Sequence, residues 1–285
     1  MSEFLRIFSD VHYGDRASQA RSLVQLAPLL HGPASLVLNG DTLETRPGPA
    51  PERTAAMLAE VQAFFPRHTP KVTFLTGNHD ANLTTHHLLE LAGGEIFVTH
   101  GDILYDDLVP WSQDAPAIRH LLATEFSTIP AAQHDVLETR LALYRRVATS
   151  IPQRHQSERN PFKYAIQFAN DTVWPPMRLV RILRSWREMP ELAAALIRRH
   201  RPRTKFIIIG HTHRPGVWRQ PDGRVVINTG SFSRPFGGCI VDVFPGRLFV
   251  RRIEARRGEF HPGATIAEFA LADAGALTKT HRHEH

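Results

Sequence analysis

Apolar residues in this chain gather in short runs that stop abruptly at polar ones. Residues 4–8, 35–38, 71–75, 95–98 and 205–209 each form such a run, rich in β-branched and large apolar side chains. Continuous runs of this length suit strands covered on both faces, where the usual alternation is lost. Between the early runs lie stretches with helical spacing, about 17–30 and 51–65. Strand, helix, strand, helix predicts a layered α/β fold. Runs at 224–227, 239–243 and 248–253 follow at close spacing and predict antiparallel strands that finish a second sheet. The middle of the chain is helical in pattern and lacks clear strands, so it reads as a helical cap inserted between two parts of a core. The expected division is a core of 1–103 and 203–260, a cap of 104–202 and a tail of 261–285.

Composition narrows the setting. The chain has 285 residues, 42% of them hydrophobic and 22% charged, which is ordinary for a protein with a full core. No run approaches the roughly 18 apolar residues that a membrane span requires. The first strand begins by residue 4 and candidate chemistry at Asp10, which leaves no room for a cleaved leader. Cys239 is the single cysteine and can form no internal disulfide, so a reducing cytoplasm is the expected setting. A net charge of +6 favours an anionic partner such as a phosphorylated molecule, acidic lipid or nucleic acid.

The polar residues that follow the strands carry the chemistry. Asp10 and His12 follow the first run, and Asp41 and Glu44 follow the second. Asn78, His79 and Asp80 follow the third, His100 and Asp102 the fourth, and His211 and His213 the fifth. Ligands of open α/β sheets sit beyond the carboxyl ends of the strands, so five clusters converge on one crevice. A mixed Asp, Asn and His set without thiolate suits Mn²⁺, Fe, Zn²⁺ or Co²⁺ better than Ca²⁺. One carboxylate, Asp41, is placed to give an oxygen to each of two ions, which together could clamp an in-line displacement at phosphorus.

In order, Asp10-Val11-His12, Gly40-Asp41-Thr42-Leu43-Glu44, Gly77-Asn78-His79-Asp80, His100 and Gly210-His211-Thr212-His213 resemble the calcineurin-like metallophosphoesterase family. The resemblance covers about 1–102 and 203–254. It implies a two-sheet β-sandwich flanked by helices and a dinuclear centre, with Mn²⁺ as the expected ion. It assigns Asp10, His12, Asp41 and His213 to one ion, and Asp41, Asn78, His100 and His211 to the other. His79 is implied as the histidine that stabilises the phosphoryl oxygens or protonates the leaving alkoxide. Glu44 would orient His79 and raise its pKa, and Asp80 and Asp102 would support the ligands. His86, His87, His281, His283 and His285 match no motif and read as exposed.

The cap bears on substrate. Arg178, Arg181, Arg184, Arg187, Arg198, Arg199, Arg201 and Arg203 alternate with Leu179, Ile182, Leu183 and Trp186 at helical spacing, after Pro175 and Pro176. Arg145, Arg146, Arg154, Arg159 and Lys163 add positive charge upstream. A basic amphipathic helix can grip phosphate or lie on an anionic membrane, at the inner face for a cytoplasmic protein. A helical insertion of this kind is similar to that of the UDP-2,3-diacylglucosamine hydrolase branch of the family, which typically has Arg where this chain has His79. The expected activity is hydrolysis of a phosphorylated small molecule or a pyrophosphate-linked lipid precursor. A nuclease or phosphodiesterase of the same superfamily is the less favoured reading, because no aromatic-rich basic groove motif is present. A non-catalytic metal-binding scaffold is the third.

Overall fold

A computed structural model of the chain describes residues 3–48, 50–152 and 177–272. Two sheets face each other. The first has six strands in the order β11 (Glu259–Ala270), β10 (Arg247–Arg256), β9 (Cys239–Phe244), β1 (Leu5–Phe8), β2 (Ser35–Asn39) and β3 (Lys71–Leu75). The second has five in the order β4 (Leu88–Leu91), β5 (Ile96–Thr99), β6 (Phe206–Ile209), β8 (Val225–Asn228) and β7 (Gly216–Arg219). β1, β2 and β3 run parallel, as do β5, β6 and β8. β4 and β7 close the second sheet in the antiparallel sense.

The period-two geometry of a strand explains the unbroken apolar runs. Leu5 and Ile7 of β1 point between the sheets and meet Phe206 and Ile208 of β6. Their neighbours face outward: Phe8 packs under Leu23, Leu26, Val61 and Phe65, while Ile207 and Ile209 pack under Ile118, Leu141, Met189 and Ile197. The helices involved are α1 (Ala27–Leu30), α2 (Pro51–His68), α3 (Ala115–Ser127), α4 (Leu137–Ser150) and α5 (Met177–His200). The result is a β-sandwich with helices on both sides. Arg6 is the exception within β1. It is 2% exposed, pairs with Asp242 through two bonds of 2.6 and 2.8 Å, and donates to the Leu29 carbonyl at 2.7 Å.

The structure departs from the sequence expectations at four places. The stretch 17–30 is helical only at its end, as a 3₁₀ turn, Leu23–Leu26, followed by α1. Of the three late strands, only β8 joins the second sheet, and it does so parallel to β6. β9 (Cys239–Phe244) and β10 (Arg247–Arg256) extend the first sheet instead. Residues 261–270, assigned above to the tail, belong to β11 (Glu259–Ala270), a long edge strand paired with β10. Finally, His86 and His87 are half-buried rather than exposed, and His87 Nδ1 lies 2.7 Å from the Thr76 hydroxyl.

Among the described residues, 104–202 contains helices and no strand. α3, α4 and α5 form the outer layer on the second sheet, with Phe97, Ile207 and Val226 sharing their core. Arg145 of α4 ties this layer to the sheet: it grips the Asp102 carboxylate with both terminal nitrogens and donates from Nε to Thr76 at 2.7 Å. Burial would raise the Asp102 carboxyl, but the guanidinium beside it holds it below the ordinary carboxylate range. Arg145→Met leaves that carboxylate buried without a partner. The expected loss is about 3–5 kcal/mol of unfolding free energy. A denaturant midpoint shift worth less than about 1 kcal/mol would refute the role assigned to the pair.

No helix among the described residues is long and apolar enough to cross a membrane. Arg154, Arg159, Lys163, Pro175, Pro176 and the three tail histidines lie outside the described residues.

Candidate metal centre

Every expected ligand sits just past the carboxyl end of a parallel strand: Asp10 and His12 after β1, Asp41 after β2, Asn78 after β3, His100 after β5, His211 and His213 after β6. Their backbone is unusual. Asp10, His12, Asp41, His211 and His213 have φ of 54°, 48°, 51°, 66° and 56°. A side chain bearing a Cβ enters this left-handed region at a cost of order 1–3 kcal/mol, and such residues cluster at functional sites. The strands and cross-links between their ends hold it. The backbone N–H of Asp10 donates to the Gly40 carbonyl at 3.1 Å and that of His12 to the Asp41 carbonyl at 2.9 Å. Gly77 and Gly210 are needed for the close approach, since a Cβ on either would strike the Asp41 or Asp10 carboxylate.

The side chains converge. His213 Nε2 is 3.2 Å from Asp10 Oδ1 and 3.0 Å from His12 Nε2. His100 Nε2 is 3.2 Å from Asp41 Oδ2, and His12 Nε2 is 3.8 Å from the same oxygen. Three overlapping groups have ligand atoms within 4.8 Å of one another: Asp10, His12 and His213; Asp41, His100 and His211; and His12, Asp41 and His79. The structure thus brings together all the expected histidine and aspartate ligands.

Tautomers follow from the partners. His100 Nδ1 is 3.0 Å from the Asn39 carbonyl and His211 Nε2 is 2.8 Å from the Leu108 carbonyl. A carbonyl only accepts, so these nitrogens donate and the opposite ones, His100 Nε2 and His211 Nδ1, carry the lone pairs. Asn78 Oδ1 is buried without a hydrogen-bond partner, and His100 Nε2 has no well-aligned one, facing only the Asp41 carboxylate at 3.2 Å. Such an orphan is costly unless something else binds it, and a cation is what a lone pair and an amide oxygen can share. The residues fit divalent ions.

Charge adds to this. Burial pulls His12 and His100 down, yet the carboxylates of Asp10 and Asp41 push them up to about 9 and about 10. Burial and the neighbouring His100 hold His211 down to about 4, so it stays neutral and ready to ligate. Asp80 works on backbone. It accepts from the N–H groups of Asp41, Thr42 and Gly77 at 3.0, 2.6 and 2.6 Å, while burial and the Asp41 charge raise it to about 6.

His79 lies at the open side, its side chain 25% exposed, with Nδ1 2.8 Å from Glu44 Oε2. Glu44 pushes the His79 pKa up as expected, and Asp41 does the same, but burial and the Arg46 guanidinium outweigh them and set it below the ordinary histidine value. Glu44 itself is brought down to about 2, burial being overcome by His79 and Arg46.

Three supports escaped the sequence reading. Arg46 contacts both Glu44 and His79. The Leu108 carbonyl is aimed at His211 from a backbone with φ of 54°. At the end of β8, Asn228 holds the Gly210 carbonyl at 2.7 Å and Thr229 lies 2.6 Å from Ser9, whose hydroxyl donates to Asp10. Arg46 follows Glu44 by two positions, a spacing that could have flagged it; the other two left no signal in the sequence.

Comparison with known proteins followed the same lines. A sequence model described as calcineurin-like phosphoesterase matches residues 5–215. No curated protein sequence matches the chain. Solved structures that align with the chain include a single mutant of Vps29 from Entamoeba histolytica, at 12% identity and a TM-score of 0.42, covering 93% of this chain and 99% of that one. A dimetal phosphatase from Danio rerio aligns at 12% identity and a TM-score of 0.41, over 95% and 98% of the two chains. A predicted phosphoesterase from Streptococcus pneumoniae TIGR4 aligns at 16% identity and a TM-score of 0.37, also over 95% and 98%.

Proposed function

The chain belongs to the calcineurin-like phosphoesterase family, and from that premise we propose that it hydrolyses phosphoesters with two divalent ions, Mn²⁺ foremost. Asp10, His12, Asp41 and His213 would hold one ion, and Asp41, Asn78, His100 and His211 the other. The observation that carries this reading is the convergence of carboxylate and imidazole ligand atoms within 4.8 Å of one another, beside the buried, unpartnered Asn78 Oδ1.

When bound, such ions neutralise phosphoryl charge and lower the pKa of a coordinated water to about 7. The chain's own residues do the rest. His79 and His213 are the part-exposed members of the cluster, 25% and 38% by side chain, so the ester enters from their side. His79 gives a hydrogen bond to a phosphoryl oxygen and a proton to the departing alkoxide, a role worth typically 10²–10⁴-fold. Glu44 holds Nδ1, so the ring presents Nε2 to the ester.

The substrate class we favour is a phosphorylated small molecule or a pyrophosphate-linked lipid precursor. Its support is the first half of α5, where Met177, Leu179, Val180 and Leu183 are exposed among Arg181 and Arg184. Trp186, one turn further on, donates to the Thr212 carbonyl at 2.9 Å, between His211 and His213, so this amphipathic face leads to the centre. The same face suits peripheral contact with an anionic membrane from the cytoplasmic side. The arginines at and just past the C-terminal end of α5 are engaged otherwise: Arg198 with Glu191 and Asp222, Arg199 with Asp135, Arg201 with Glu90 and Glu138.

The test is hydrolysis after chelation and Mn²⁺ restoration, using p-nitrophenyl phosphate, bis-p-nitrophenyl phosphate, a nucleotide-diphosphate sugar lipid and single-stranded DNA. Manganese-dependent cleavage, strongest on the lipid-linked diphosphate, is expected. Preference for DNA would replace the substrate class with a nuclease. Silence on every compound with two ions bound would replace the hydrolase with a scaffold.

A further inference from the structure

The segment after β2 wraps against His79 in a way that its partner Glu44 alone does not explain. The Thr45 N–H donates to the His79 carbonyl at 2.8 Å, so 44–46 and His79 move together. Glu44 is then fastened from one side by Arg46. The backbone N–H and Nε of Arg46 both donate to Oε1 at 2.9 Å, and Nη2 donates to Oε2 at 2.6 Å. Pro47 follows in the sequence and disfavours a helical backbone at Arg46, which keeps this return geometry. The same Nη2 lies 2.9 Å from His79 Nδ1, itself 2.8 Å from Glu44 Oε2. Carboxylate, guanidinium and imidazole form one closed triangle, with the Glu44 and Arg46 side chains only 6% and 12% exposed.

We propose that Arg46 is a positioning residue for the reaction, acting through Glu44 to fix the direction of the His79 ring. This rests on the hydrolase reading above. A lone carboxylate can rotate about its last bond and meet Nδ1 from a range of directions. A guanidinium fork admits one plane, because Nε and Nη2 must reach both oxygens together. With the plane set, Oε2 meets Nδ1 along one line and Nε2 points one way into the site. Misplacing a reacting group by about 1 Å can cost about 10²-fold in rate even when nothing that binds substrate has changed. A lysine offers a point charge without the fork and does not replace it.

A double-mutant cycle tests the assignment, because an effect routed through His79 vanishes when His79 is gone. In the Mn²⁺-loaded protein, Arg46→Met is expected to lower kcat about tenfold, with KM within twofold and two ions per chain retained. Arg46→Lys is expected to fall to a similar level, and Arg46→Ala to regain kcat when methylguanidinium is added. In the His79→Ala background, Arg46→Met is expected to change kcat by less than twofold. Multiplying losses in the two backgrounds would mean that Arg46 acts on substrate directly, and this assignment alone would fall. A rise in KM at constant kcat, loss of ions, or full activity in Arg46→Lys would overturn it equally. A parent protein that turns over no phosphoester with both ions bound would remove the hydrolase reading itself.

Discussion

Asp41→Asn strips the centre of at least one ion and takes turnover with it: this is the largest effect expected of any single substitution. Asp41 is 1% exposed and lies among His12, His79 and His100, and it is the one carboxylate common to both proposed ion sites. The amide keeps the shape and one acceptor oxygen but loses the charge, and it cannot give an anionic oxygen to each of two cations. The neighbouring carboxylate, Asp10, sits on the His213 side. Ion content should fall from two to one or fewer per chain by elemental analysis, and kcat by more than about 10⁴-fold, beyond what a single general acid supplies. The fold should survive, since the backbone around residue 41 is held by the Asp80 carboxylate and not by its own side chain. A variant that retained two ions at wild-type affinity would remove Asp41 from the bridging position.

His79→Ala should produce the complementary phenotype, with full ion content and a loss of about 10²–10⁴-fold in kcat. The His79 backbone N–H donates to Asp41 Oδ1 at 2.8 Å, and alanine preserves that bond. Only the imidazole is lost. If its task is to protonate the leaving alkoxide, alkyl esters should suffer most and p-nitrophenyl esters least, because p-nitrophenolate leaves readily without a proton. Near-wild-type rates on alkyl esters would disprove the leaving-group role. Loss of an ion would instead make His79 a ligand, consistent with its closeness to His12 and Asp41.

The sequence made the candidate site legible because ligand chemistry and strand ends coincide. Asp10, Asp41, Asn78, His100 and His211 each follow an apolar run, and a short run fully buried on both faces has few alternatives to a strand. Part of what stayed hidden was carried by backbone. Leu108 contributes a carbonyl, which every residue possesses, and only its conformation marks it out. β11 contains Pro262 and Gly263, which argue against a strand, yet an edge strand tolerates both, and β10–β11 register shifts absorb the irregularity. β9 and β10 were assigned to the wrong sheet because adjacency in sequence usually means adjacency in space. Here β9 crosses over to pair with β1, where burial of Val241 and Val243 against Leu5 and Ile7 outweighs the longer connection.

The Arg6–Asp242 pair has a consequence in time. Its members are 236 residues apart, so Arg6 leaves the ribosome long before Asp242 is made. At roughly 5–20 residues per second, its counter-charge arrives on the order of tens of seconds later. Throughout that interval β1 lacks its β9 neighbour, so a nascent chain carries an open strand edge with an unmatched cation in the middle. An edge of that kind invites pairing with other chains, and a charge pointing from it is one of the devices that discourage such pairing. Arg6 can therefore serve the growing chain as a guard before it serves the finished one as a buried tie.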